Sequence, residues 1–218
     1  MFLPDFGRWW QTATYFEAVP LVNCVQRFLG MQLPPATVTP QGDVIFDFTK
    51  PESLAIWGAL DDVVMGGRSQ SSLVPDTAGA QFTGVVTTEN NGGFASVRTR
   101  NLQPPLDLRG YTGLVLRVRG DGKRYKFLVR DDANWDSLAY SAQFATQPAT
   151  WITVKLPFGD LVPVFRAKTV PNAPPLDLSR IVSFQIMLSK FAYDGQRNPT
   201  FTPGPFRLEI ATIGAYRE

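Results

Sequence analysis

The stretch GLVLRVRGDGKRYKFLVR, residues 113–130, decides the fold class. Leu114, Leu116 and Val118 alternate with Val115, Arg117 and Arg119, a period of two that belongs to a β-strand rather than a helix. Gly120-Asp121-Gly122-Lys123 then reads as a turn. Beyond it, Tyr125, Phe127 and Val129 fall on one side and Arg124, Lys126 and Arg130 on the other. The expectation is a β-hairpin with one apolar face and one basic face.

The same alternation recurs outward from this centre. Phe46 and Phe48 alternate with Asp47 and Thr49, and residues 151–156 form an alternating strand stopped by Pro157. Residues 181–188 and 206–213 complete the set. The 18 glycines and 18 prolines are dispersed through the 218 residues, which suits many short strands joined by turns. The predicted fold is therefore mainly β, an antiparallel jelly-roll sandwich over residues 41–218. Residues 1–40 have a different rhythm. Phe2, Phe6, Trp9, Ala13 and Phe16 recur at helical spacing, and Leu21, Val22, Val25, Phe28 and Leu29 repeat it after Pro20. Gly30 is a natural stop, and Pro34, Pro35 and Pro40 stiffen the segment beyond it. This predicts a short N-terminal helical extension with a Pro-rich linker.

Composition excludes several chemistries. With no histidine and a single cysteine, Cys24, the chain carries no Ser-His-Asp or Cys-His catalytic set, no histidine-ligated metal and no internal disulfide. Hydrophobic residues at 44% provide for a core, and 18% charged residues argue against a disordered chain. The apolar run 19–31 contains Asn23, Gln26 and Arg27 and is shorter than the roughly 20 apolar residues a membrane span needs. No secretory signal pattern precedes it, so a reducing, cytoplasmic setting is expected. Gly66-Gly67 and Gly92-Gly93 lack the spacing and adjoining helix of a nucleotide loop. No catalytic residue, metal site, cofactor or DNA partner is expected.

Four constellations remain. Asp61-Asp62 lies just before Met65-Gly66-Gly67-Arg68-Ser69, a pairing that suits either a cation or a turn capped by Asp side chains. Residues 131–136 resemble a calcium loop in composition but lack its central glycine and distal glutamate, and a plain acidic loop is favoured. Trp135, Asp136 and Tyr140 are a candidate sugar-binding pocket, against the commoner fate of sandwich aromatics in the core. Residues 98–130 carry nine basic and two acidic side chains, a local net of +7. Arg117, Arg119, Arg124 and Lys126 are candidates for contact with an acidic protein, with RNA as the weaker alternative and a solvated, charge-paired face as the plain reading. Phe6, Trp9 and Trp10 are candidates for a second contact with a protein partner, the basic flank needed for lipid binding being thin.

The block from Trp57 through Asp61, Asp62, Met65, Gly66 and Gly67 to Ser69 resembles the signature of the complex I intermediate-associated protein family, the thirty-kilodalton assembly factor. Phe82-Thr83-Gly84, Asn91-Gly92-Gly93-Phe94-Ala95-Ser96, Leu156-Pro157-Phe158 and residues 204–210 extend the resemblance over roughly residues 43–216. The resemblance implies a galactose-binding-like jelly roll without catalytic activity. It implies partners among the protein subunits of a membrane-bound electron-transfer complex, respiratory or photosynthetic. It implies a place peripheral to a plasma or thylakoid membrane, with membrane contact made through the partner. The sequence departs from the family pattern by its helical extension, by the lack of a dehydrogenase-like half, and by Ala167 where a glycine is common.

Overall fold

A computed structural model of the chain describes residues 6–16, 18–19 and 33–218. The second expected helix, Cys24, Phe2 and the side chain of Phe6 lie outside the described residues. Helix α1 spans Phe6–Tyr15, and a one-turn helix, α2, spans Pro51–Leu54. Among the described residues, everything else regular is strand or 3₁₀ turn.

The strands form two antiparallel sheets. In the first, β3 (Gln70–Asp76), β4 (Gly79–Val86), β13 (Gly204–Tyr216), β6 (Gly113–Arg119) and β9 (Trp151–Pro157) lie in that order, with β1 (Val44–Asp47) also pairing β13. In the second, the order is β11 (Lys168–Thr169), β10 (Val162–Phe165), β8 (Ala139–Ala145), β7 (Arg124–Arg130), β12 (Ser183–Ser189), β5 (Phe94–Thr99) and β2 (Trp57–Ala59). The apolar side chains of each strand face the other sheet. Phe82, Leu114, Leu116, Leu208 and Ile210 from the first sheet meet Tyr125, Phe127, Phe184 and Ile186 from the second in one core. Phe46 stacks on Phe48 at 5.9 Å and meets Phe184 edge-on at 5.7 Å, which fastens β1 to the opposite sheet.

The expected hairpin at 113–130 is corrected by the strand pairing. β6 pairs with β13 and β9, whereas β7 pairs with β12 and β8, so consecutive strands belong to opposite sheets. Each presents a fully apolar inner face, and the two bury those faces against each other across the core rather than edge to edge. The link between them crosses the end of the sandwich. Gly122 takes the left-handed φ of +90°, and Asp121 accepts bonds from Lys123 N, Tyr125 Oη and Arg207 N.

The strap 33–40 lies along the sandwich, with Ala36 buried and bridged in parallel to Leu102. At the tight turn between β10 and β11, Arg166 and Ala167 both have positive φ, +48° and +63°. That is the two-residue geometry in which glycine is favoured, and here Arg166 and Ala167 adopt it.

Candidate interaction surfaces

The signature block is a loop built around two buried carboxylates. Asp61 and Asp62 are each 1% exposed. Asp62 opens the 3₁₀ turn Asp62–Met65. Its Oδ1 accepts the Ser69 amide at 2.9 Å, and its Oδ2 accepts the Ser69 hydroxyl at 2.7 Å and the Gly93 amide at 2.7 Å. Asp61 accepts the amides of Ser71 at 2.9 Å and Ser96 at 3.1 Å, and pairs with Arg8 of α1 at 3.1 Å. Burial pushes the Asp61 carboxyl above its ordinary value, against the pull of those donors and of Arg8.

The glycines are explained by these carboxylates. Gly66 closes the turn in the left-handed region at φ +86°, and its amide donates to Val63 O. A side chain on Gly67 or Gly92 would begin 2.4 Å from the Asp62 carboxylate. The block is thus a capped loop joining β2, β3 and the 87–93 connection, and the turn reading of Asp61-Asp62 is the one the geometry carries. Among the described residues no group of three or more histidine, cysteine or acidic side chains is placed to hold a metal ion. The product of all this bonding is a stiff platform on which Met65 is 75% exposed.

Helix α1 lies against this platform. Arg8 donates to Ser69 O as well as to Asp61, and Ala13 is buried beneath the helix. The Tyr15 ring occupies the space a side chain on Gly58 would need. Trp9 is half-buried and Trp10 is 42% exposed.

The basic residues do not share a face, because their strands lie on opposite sheets. Arg117 and Arg119 project from the outer face of the first sheet. Both lie over the Trp151 ring, at 5.7 and 5.2 Å, and Arg119 is ion-paired with Glu209, which also pairs with Arg207 at 2.6 Å. Arg124 and Lys126 belong to the outer side of the second sheet. Lys126 is only 6% exposed, donates to Ala192 O and lies 5.0 Å from the Tyr193 ring centroid. Burial lowers its ammonium pKa to about 8. The loop 190–198 folds over it, which strand alternation alone does not reveal.

The candidate sugar pocket is not assembled either. Tyr140 and Trp135 lie on opposite sides of the second sheet. Tyr140 points into the core and donates to Pro174 O at 2.8 Å. Trp135 lies over the outer face, against Phe16 at 5.5 Å and beneath the Arg98 guanidinium at 5.6 Å. Asp136 is ion-paired with Arg166. The other carboxylates of that loop also turn to local donors, Asp131 to Asp177 N and Asp132 to Asn134 N.

Residues 46–210 match the family model described as Complex I intermediate-associated protein 30 (CIA30). The chain belongs to the complex I intermediate-associated protein 30 family. One relative, an uncharacterised Schizosaccharomyces pombe protein, is 32% identical over 61% of this chain and 68% of its own length. Complex I intermediate-associated protein 30, mitochondrial, of Drosophila melanogaster is 27% identical over 79% of this chain and 62% of its own length. The match thus spans about two thirds of the length of these two relatives. In fold, the chain is similar to a family 11 carbohydrate-binding module of Clostridium thermocellum, with a TM-score of 0.58, 16% identity, and coverage of 83% of this chain and 96% of that one. Sequence and structure therefore agree on a galactose-binding-like jelly roll. Among the described residues no helix is long and apolar enough to cross a membrane.

Proposed function

We propose that the chain is a non-catalytic factor that binds a protein client during assembly of a membrane-bound electron-transfer complex. Family membership over residues 46–210 is the observation that carries this reading. The name of the Drosophila relative supports a client among the intermediates of a respiratory complex. The buried carboxylates of the signature are consumed in holding a loop, which supports a binding role for that loop rather than a chemical one.

The client surface is the end of the sandwich where the Met65 turn and α1 meet. A hydrogen-bonded turn presenting an exposed methionine, with exposed Trp10 on the helix that packs on that turn, offers apolar, adaptable contact area. Arg117 and Arg119 form a secondary basic contact on the first sheet. Lys126 contributes none, being covered. The chain reaches the membrane through its client.

Affinity purification of the tagged protein from its own cells in mild detergent, with and without RNase, tests the reading. Subunits of one membrane complex are expected, insensitive to RNase and depleted by Met65→Glu. Recovery of RNA-linked proteins alone, lost on RNase treatment, would overturn it in favour of a role in translation.

A further inference from the structure

On the outer face of the second sheet, Arg98 of β5, Gln185 and Ser183 of β12 and Arg130 of β7 lie side by side. The register sets Gln185 opposite Arg98 and Ser183 opposite Arg130. Arg98 is 2% exposed and Ser183 is fully buried. Such positions normally satisfy every polar atom, since an unbonded buried donor has lost its water and gained nothing in return. Here they do not. Among the described residues, seven buried side-chain polar atoms lack a hydrogen-bond partner. Four of them belong to this strip and its continuation: Arg98 Nε, Arg130 Nε, Ser183 Oγ and Arg100 Nε.

The bonds these groups do make are to neutral oxygens. Arg98 Nη1 donates to Trp135 O at 3.2 Å, Arg130 Nη1 to Gln185 Oε1 at 2.9 Å, and Arg100 Nη1 to Pro34 O at 2.8 Å. None of the three makes an ion pair among the described residues, and Asp136, the carboxylate that acts on Arg130, is committed to Arg166. Burial lowers the pKa of Arg130 to about 10, and burial together with the charge of Arg130 lowers that of Arg98 well below its ordinary value. Two like charges therefore share a poorly hydrated strip with no counter-charge bonded to either. That arrangement is costly unless an anion completes it.

We infer that this strip is a binding site for a phosphate group, held by Arg98 and Arg130 with Ser183 donating from the sheet between them. A dianion neutralises both guanidinia, and its oxygens can take the bare Nε donors. A monoanionic carboxylate would leave one cation unpaired. Tyr15 over Arg100, and Phe16 against Trp135 over Arg98, roof one side with aromatic rings. An organic phosphate would place its apolar part there. The exposed residues Ala133, Asn134 and Asp136 form the outer rim. Phosphate binding at this strip is independent of which client the protein serves.

The test uses the full chain in phosphate-free buffer. Calorimetric titration and thermal unfolding are run with inorganic phosphate, phenyl phosphate and acetate, each against chloride at matched ionic strength. Saturable binding of the phosphates is expected, with a rise in Tm of roughly 5 °C at a hundredfold excess over Kd. Arg98→Gln and Arg130→Gln should abolish it. Ser183→Ala, which removes one small hydroxyl and keeps the fold by circular dichroism, should weaken it severalfold. Equal binding of both phosphates would identify the free anion as sufficient, and tighter binding of phenyl phosphate would identify an organic phosphate. No phosphate effect beyond that of chloride, or Ser183→Ala and Arg130→Gln proteins binding as well as wild type, would overturn the assignment.

Discussion

At Asp61 and Asp62 two carboxylates are buried and every one of their four oxygens accepts a hydrogen bond; at Arg98 and Arg130 the Nε of each guanidinium is buried and bare. Both clusters sit at the second sheet, and β5 contributes to both through Ser96 and Arg98. The difference separates charge that builds the fold from charge that awaits a counterpart. The first cluster ties three chain segments together through donors the chain itself supplies. The second has its donors arranged and no acceptor of matching charge.

Removing a charge should therefore have opposite consequences in the two places. Asp62→Ala leaves the Ser69 and Gly93 amides and the Ser69 hydroxyl without their acceptor in a buried loop. A loss of about 3–5 kcal/mol in denaturant unfolding is expected; a loss below about 1 kcal/mol would dissolve the contrast.

The next effect is at Lys126, where burial alone depresses the pKa from 10.5 to about 8. The folded protein then holds fewer protons than the unfolded chain between pH 8 and 10.5. Its stability relative to Lys126→Met should rise with pH across that window, by up to about 3 kcal/mol, and level off at its lower value below pH 8. Paired denaturation curves at pH 7.5 and 10.5 measure it. A flat difference would place Lys126 in solvent.

The smallest effect is expected where the cation is unpaired. In phosphate-free buffer Arg98→Gln should change stability by less than about 1 kcal/mol, because relief of repulsion from Arg130 offsets the lost bond to Trp135 O. A loss matching that of Asp62→Ala would make Arg98 a structural residue like the carboxylates.

Most strands were legible from alternation: residues 151–156 lie within β9, and 206–213 within β13. What alternation leaves open is partnership. A strand with one apolar face packs equally well beside its neighbour or across from it, and residues 113–130 take the second course through a four-residue link that looks like a turn either way. The positive φ of Ala167 was not legible, since alanine gives no sign of that backbone conformation. The strip of Arg98, Ser183, Gln185 and Arg130 was not legible. Polar residues on alternate strand positions read as a solvated face, and the burial comes from α1, the 131–137 loop and the sheet register, which are far apart in sequence.

The placement of β13 has a consequence for the order in which the molecule can be made. This strand, residues 204–216, lies between β4 and β6 and also receives β1. Without it, β3 with β4 and β6 with β9 are two separate ribbons of the first sheet. Each keeps an open edge until the 204–216 segment takes its place between them, so the first sheet closes only when a strand far from both in sequence arrives.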